Sequence, residues 1–297
     1  MHSGILLLDK PGGLSSNGAL QRVRTLFERV KAGHVGSLDP LATGMLPICL
    51  GEATKVAGDI LAGRKRYRFT VQLGASTATG DAEGAISARA SVPLLERSAV
   101  EAVLSSFRGT RQQVPPMYSA LKRDGQPLYR LARSGVTVER APRTIELSAL
   151  ELLAIAGTSL ELETLCSKGT YVRVLAEDLA AALGTVGHVT ALRRLYVEPF
   201  EREPMHTLES LANARRQGEW PPLLSADWPL TDLPAVHLTA AQAQGVRKGQ
   251  KIACKLAAAA PRVRLYDEKA RFVGIGQADD SGTIQPRRLL RCAGDGY

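Results

Sequence analysis

The sequence predicts an α+β domain on a mixed, largely antiparallel sheet, followed by a small β-rich module. Three observations carry that expectation. Residues 65–73, KRYRFTVQL, alternate apolar and polar side chains, the period of a strand with one buried face. Residues 145–155 and 160–165 read as strands flanking Ala156-Gly157-Thr158, a hairpin-like pair rather than a βαβ unit. Beyond about residue 233 the segments 250–255, 262–266, 271–277 and 282–285 are short and punctuated by Gly249, Gly274, Gly276 and Gly282. That spacing suits a small barrel-like module of about 65 residues.

The elements follow in chain order. Residues 4–8 form an apolar run stopped by Pro11-Gly12-Gly13, a buried strand. Ser15, Ser16 and Asn17 offer helix N-caps. Leu20, Val23, Leu26, Phe27 and Val30 then recur at helical spacing, with Arg22, Arg24 and Arg29 on other faces. Residues 31–47 hold three glycines and two prolines and few periodic apolar residues, so they read as a long loop, and long ordered loops are usually functional. Residues 95–107 read as a helix, 171–183 as a second, and 188–197 as a strand. Pro221, Pro222, Pro229 and Pro234, with both tryptophans, make 218–234 a connection. The expected division is a body over 1–230, with an insertion at about 108–143, and a module over 231–297.

Composition narrows the function. Lysine and arginine total 38 against 29 acidic residues, a net charge of +9, which favours a polyanionic partner. Cys49, Cys166, Cys254 and Cys292 are far apart and form no C-x-x-C pair, so neither a zinc site nor a redox motif is expected. The N-terminal apolar run is too short for a signal peptide. No run approaches the roughly 18 apolar residues of a membrane span. A soluble, cytoplasmic protein with no obligate protein partner, monomeric, is the expectation. No Walker A or G-x-G-x-x-G pattern occurs, so no nucleotide cofactor is expected.

Chemistry concentrates in a few segments. In GHVGSLDPLATG, residues 33–44, Asp39 precedes a proline and is pushed toward extended backbone. Glycines on both sides permit close approach of a ligand. Asp39 is either a nucleophile or base or simply the start of a turn. His34 either meets a base or phosphate or stays an ordinary loop histidine. No second ligand lies at metal spacing. The run from Arg64 to Arg68 surrounds Tyr67 with four cations, suited to nucleic acid or to a solvated strand face. Lys122, Arg123, Arg130 and Arg133 in the insertion could grip RNA. Ser167 to Arg173 precedes a helix, where anions are favoured. Arg173 either pairs with a catalytic carboxylate or lies on the surface.

Together these segments resemble the TruB family of tRNA pseudouridine synthases, whose signature reads G-H-T-G-T/A-L-D-P-L-A-T-G. Val35 and Ser37 depart from it without removing a chemical group. Leu8-Asp9-Lys10-Pro11-Gly12, residues 65–69, 115–121 and 168–173, and Leu192-Arg193-Arg194-Leu195 match in order. The resemblance spans roughly 4–210, and the tail resembles the small PUA-type RNA-binding module. It implies the pseudouridine synthase fold and a uridine in the tRNA T arm as target. It further implies Asp39 as catalytic carboxylate, Arg173 as its partner, and Tyr67 as the ring that stacks on uracil and later removes a proton. Tyr171 and Leu192 would line the uridine pocket, and His34 would contact the flipped nucleotide. No metal or cofactor is implied. A base inside a folded arm must be extruded before it can react. Two rivals remain at this point: a non-catalytic RNA-binding or tRNA-folding protein using the same basic surface, and a hydrolase using Asp39.

Overall fold

The computed structural model describes residues 3–253 and 261–291; Cys254 and Cys292 lie outside them. The first strand, β1 (Gly4–Lys10), is buried almost throughout. Helix α1 (Ser16–Leu26) starts at the Ser15 N-cap, whose side chain accepts from the Gly18 amide at 3.0 Å. It buries Ala19, Leu20 and Val23. The helix ends before Val30, because Glu28 and Arg29 adopt positive φ.

The expected loop over 31–47 is a correction. Two strands occupy part of it: β2 (Ala32–His34) and β3 (Thr43–Leu50), paired antiparallel. The loop is 35–42. Strand β2 is too short and too evenly half-buried for alternation to reveal it. A six-residue helix, α2 (Ala57–Ala62), precedes β4 (Lys65–Leu73), where Tyr67, Phe69, Val71 and Leu73 face the core. A small ribbon, β5 (Ala75–Thr77) and β6 (Ile86–Arg89), leads to α3 (Arg97–Phe107).

The segment expected as an insertion begins inside the body, since β7 (Gly109–Gln113) joins the main sheet. What projects is 114–142, with β8 (Lys122–Arg123), β9 (Gln126–Pro127) and α4 (Leu128–Arg133). The expected hairpin follows as β10 (Arg143–Ala156) and β11 (Ser159–Cys166). Then come α5 (Val172–Ala182), β12 (Gly187–Val197) and α6 (Leu208–Arg216).

Among the described residues, the main sheet runs β1-β3-β12-β4-β11-β10-β7, with β2 also on β3. Every pairing is antiparallel except β3 with β12. Helices α1, α3, α5 and α6 contribute to one apolar core on its face. The 218–234 connection is bound to the body: Ile5 and Leu224 exchange backbone hydrogen bonds at 2.8 and 2.9 Å. A second sheet, β13 (Ala235–His237), β14 (Ile252–Ala253), β15 (Val263–Tyr266), β16 (Phe272–Ala278) and β17 (Thr283–Leu289), takes the order β13-β15-β16-β17-β14. The module also holds α7 (Ala240–Arg247), entered through a Thr239–Gln242 capping box, which the spacing argument did not foresee. Among the described residues no helix is long and apolar enough to cross a membrane.

Candidate active site

The 35–42 loop is pinned from several directions. Ser16 Oγ donates to the Leu38 carbonyl at 2.9 Å and accepts from the Leu38 amide at 2.7 Å. The Gly13 amide donates to the Pro40 carbonyl at 2.9 Å, and the Ala42 amide to the Asp39 carbonyl at 3.1 Å. Lys10, wholly buried, donates to the carbonyls of Leu14, Pro11 and Pro40 at 2.7, 2.8 and 3.3 Å. Burial pulls its ammonium down to about 8, opposed by Asp39 and Glu83. At the loop's far end Gly44 has φ +96°, and a Cβ there would stand 2.1 Å from the Arg194 carbonyl oxygen. Only glycine fits where β3 and β12 run parallel.

Asp39 emerges from this frame with its side chain 38% exposed. Arg173, one residue into α5 and 5% exposed, grips both its oxygens: Nε donates to Oδ2 at 2.8 Å and Nη2 to Oδ1 at 3.3 Å. Nη1 donates to the Thr79 carbonyl at 2.6 Å, and Nη2 also to the Tyr118 carbonyl at 2.7 Å. Burial raises the Asp39 carboxyl above the ordinary aspartate range. Arg173 opposes that rise, Asp81 adds to it and Lys10 opposes it. A carboxylate held in this way is oriented and poised to act as nucleophile or base.

The remaining predicted residues sit at different distances from this pair. Tyr67 is buried beside it on β4, and its hydroxyl accepts from Arg194 Nη1 at 3.4 Å. Arg194 Nη2 donates to the Gly36 carbonyl at 2.8 Å, so one guanidinium joins Tyr67 to the Asp39 loop. Leu192, on the same face of β12 as Arg194, shares an apolar cluster with Tyr67, Leu38 and Ala42. Tyr171 stands just before α5, its amide and carbonyl both bonded to the Gln113 side chain at 2.8 and 3.1 Å. Burial raises its phenol. His34 closes β2; burial and Arg194 lower its imidazole, and its Nδ1 is buried without a hydrogen-bond partner. Lys122, Arg123, Arg130 and Arg133 are exposed on the projecting segment. That segment reaches the centre through the Tyr118 carbonyl. Beside Arg173 it leaves a cavity of about 500 Å³, lined by Thr79, Met117, Tyr118, Arg140 and Glu177 among others.

Sequence reasoning placed none of Lys10, Ser16, Asp81 and Arg194 at the site; Ser16 was read only as a helix N-cap candidate. Asp81 is a second carboxylate 3.6 Å from Arg173 Nε, fixed by Thr79 Oγ1 and the Glu83 amide. Arg194 carried a signal: alternation places it two residues from Leu192 on the apolar face. Lys10 carried a weaker one, as the charged end of an otherwise buried strand. Among the described residues no cluster of three histidine, cysteine or carboxylate side chains could hold a metal ion.

Comparisons with known proteins agree with this architecture. The model of the TruB family pseudouridylate synthase N-terminal domain matches residues 24–172. The tRNA pseudouridylate synthase B C-terminal domain matches 173–220, and the pseudouridine synthase II TruB C-terminal model matches 234–290. The tRNA pseudouridine synthase B of Chromohalobacter salexigens is 48% identical over 292 residues, covering 98% of this chain and 95% of that protein. Its counterpart from Nitrosococcus oceani is 47% identical over 292 residues, covering 97% and 94%. The fold matches a crystal structure of a Cbf5-Nop10-Gar1 complex with TM-score 0.70 at 23% identity, over 96% of this chain and 84% of that one. It matches an H/ACA RNP bound to a substrate RNA containing 2'-deoxyuridine with TM-score 0.70 at 22% identity, over 97% and 85%.

Proposed function

The chain belongs to the TruB family of pseudouridylate synthases, and from that premise we propose that it isomerises the T-loop uridine at tRNA position 55 to pseudouridine, with Asp39 as the catalytic carboxylate. The observation that carries this reading is the two-point grip of buried Arg173 on Asp39, in a loop fixed from every side. Asp39 works on the N-glycosidic bond; the freed uracil turns and rejoins the sugar through carbon 5. Arg173 keeps the carboxylate ionised against burial, and the pair gains strength from the dry wall of Tyr67 and Leu192. Tyr67 stacks on the uracil and then takes the carbon 5 proton. Tyr171 closes the pocket and His34 meets the flipped nucleotide.

The grip on RNA falls to other parts. Lys122, Arg123, Arg130 and Arg133 contact phosphates of the T arm, where charge positions without reading sequence. Residues 1–230 form the catalytic unit and 231–297 a PUA-like RNA-binding unit. The protein acts as a cytoplasmic monomer, without cofactor. A tritium-release assay on unmodified tRNA labelled at carbon 5 of uridine tests the whole reading. Wild type releases label from the T loop. Asp39→Asn releases none, while its tRNA affinity stays within about tenfold, because the loss is chemical. Binding without release by wild type would instead leave a tRNA-folding protein.

A further inference from the structure

Behind Tyr67 lies an arginine that the reaction above leaves without a role. Arg194 is 1% exposed. Its Nε donates to the Met45 carbonyl at 2.6 Å and its Nη2 to the Gly36 carbonyl at 2.8 Å. Its Nη1 is directed at the Tyr67 hydroxyl oxygen, 3.4 Å away. No carboxylate lies within ion-pair distance of it among the described residues. An interior guanidinium without a counter-charge is costly. A residue kept only to fill that space would be apolar.

The geometry offers a reason for the charge. Two of the three nitrogens are fixed by backbone carbonyls, one from β3 and one from the Asp39 loop. The third is therefore held toward the phenol. A phenol oxygen that accepts there turns its own proton away from Arg194. Such a contact strengthens and shortens once the oxygen carries charge. We propose that Arg194 is a positioning residue for the second half of the reaction: it fixes the Tyr67 oxygen relative to the Asp39 loop and favours the phenolate that removes the proton from carbon 5. This rests on the reading of Tyr67 as that base.

The step balances. Once carbon 1′ of the sugar has joined carbon 5, the carbon 5–hydrogen bond breaks. Its electron pair restores the ring double bond, and the proton passes to the Tyr67 phenolate oxygen, whose own proton has left to solvent beforehand, so the phenol is neutral again at the end. The surroundings of Tyr67 otherwise work against ionisation. Burial raises the phenol, and the Cys166 thiol from β11 and the Asp39 carboxylate from the loop push the same way; Arg194, from β12, opposes them. On β4 itself Lys65 is turned aside, its ammonium bonded to the Leu61 and Gly63 carbonyls.

The test is single-turnover conversion of tRNA carrying hydrogen or deuterium at carbon 5 of the T-loop uridine, with the full chain. Arg194→Gln is expected to slow conversion by about tenfold or more and to show a hydrogen/deuterium rate ratio clearly larger than wild type, because proton removal becomes limiting. Arg194→Lys keeps a cation in the slot and recovers part of the rate. A slowed Arg194→Gln with an unchanged isotope ratio would overturn the proposal. So would a loss of tRNA affinity parallel to the loss of rate in both variants, since Arg194 would then be scaffold. Tyr67→Phe tests the underlying reading separately. If it still removes the carbon 5 proton at the wild-type rate, Tyr67 is not the base, whatever Arg194 does.

Discussion

The Asp39 loop and the segment 114–142 bracket the same guanidinium, yet they are held in opposite ways. The loop is bound to β1, α1, α5 and β12 by hydrogen bonds from Lys10, Ser16, Arg173 and Arg194. The projecting segment is bound mostly to itself. Leu128 and Tyr129 amides donate to the carbonyls of Leu121 and Ser119, and Arg123 to that of Glu139. One tie to the centre is the Tyr118 carbonyl on Arg173. The difference follows from the two tasks. Breaking a glycosidic bond requires the carboxylate to be placed within about half an ångström. Neutralising phosphates requires charge nearby, and an adaptable surface does that well. Hydrogen bonds to the body are therefore concentrated around Asp39, while Arg130 and Arg133 are exposed to solvent.

The largest expected break in that contrast is Arg173→Ala. It removes the ion pair on Asp39 and the bonds to the Thr79 and Tyr118 carbonyls at once. Single-turnover rate is expected to fall about 10²- to 10³-fold, with tRNA binding largely retained. The pH dependence sharpens the test. Burial already raises the Asp39 carboxyl and Arg173 opposes the rise. A carboxyl with a raised value loses its charge sooner as pH falls. Without Arg173 the acid limb of the rate profile must therefore move further toward neutral pH. A limb that stays in place would show that Arg173 does not hold the carboxylate ionised.

Next in size is Gly44→Ala. The new methyl would meet the Arg194 carbonyl oxygen at 2.1 Å, at φ +96°. Separating β3 from β12 or straining the turn should cost about 2–4 kcal/mol, read as a lowered urea midpoint. Because β12 carries Leu192 and Arg194, turnover should fall as well. A smaller effect is expected from Ser16→Ala, which removes both bonds to Leu38. A loss of about 1–3 kcal/mol with reduced turnover and unchanged tRNA affinity would place Ser16 in the frame of the loop. Unchanged turnover would show that the remaining ties suffice.

How far the sequence revealed these regions depends on the kind of signal. Strand β4 was legible because one face is buried and the other is wet, so Tyr67, Phe69, Val71 and Leu73 alternate with Arg66, Arg68, Thr70 and Gln72. Strand β2 was not, because three half-buried residues carry no period and β3 decides their pairing. Helix α7 was missed although Thr239 and Gln242 form a capping box, since short glycine-punctuated segments dominated the reading of the module. At the site, Asp39 and Arg173 lie 134 residues apart. Local chemistry left the turn reading of Asp39 and the surface reading of Arg173 both open. Motif order suggested the pairing, and the fold brings the two into contact. Arg194 shows another kind of failure: its alternation with Leu192 was in plain view, but the strand period alone does not tell a buried guanidinium from a solvated one.

The smallest effect on the fold, and the one that separates the two regions most cleanly, is charge reversal at Arg130 and Arg133. Both side chains are exposed on α4, and neither takes part in an ion pair among the described residues. Surface changes of this kind usually move folding stability by no more than about 0.5 kcal/mol. Binding should respond differently. Each cation that neutralises a phosphate releases counterions, so losing two contacts should flatten the salt dependence of tRNA affinity by roughly two units of slope. Affinity itself should fall most at low salt. At saturating tRNA the chemical step should proceed at nearly the wild-type rate, because Arg173 and Asp39 keep their geometry. An unchanged salt slope would remove both residues from the contact surface. A rate loss that saturating tRNA does not restore would instead mean that the projecting segment shapes the centre through Tyr118, and that the two regions are less independent than their bonding suggests.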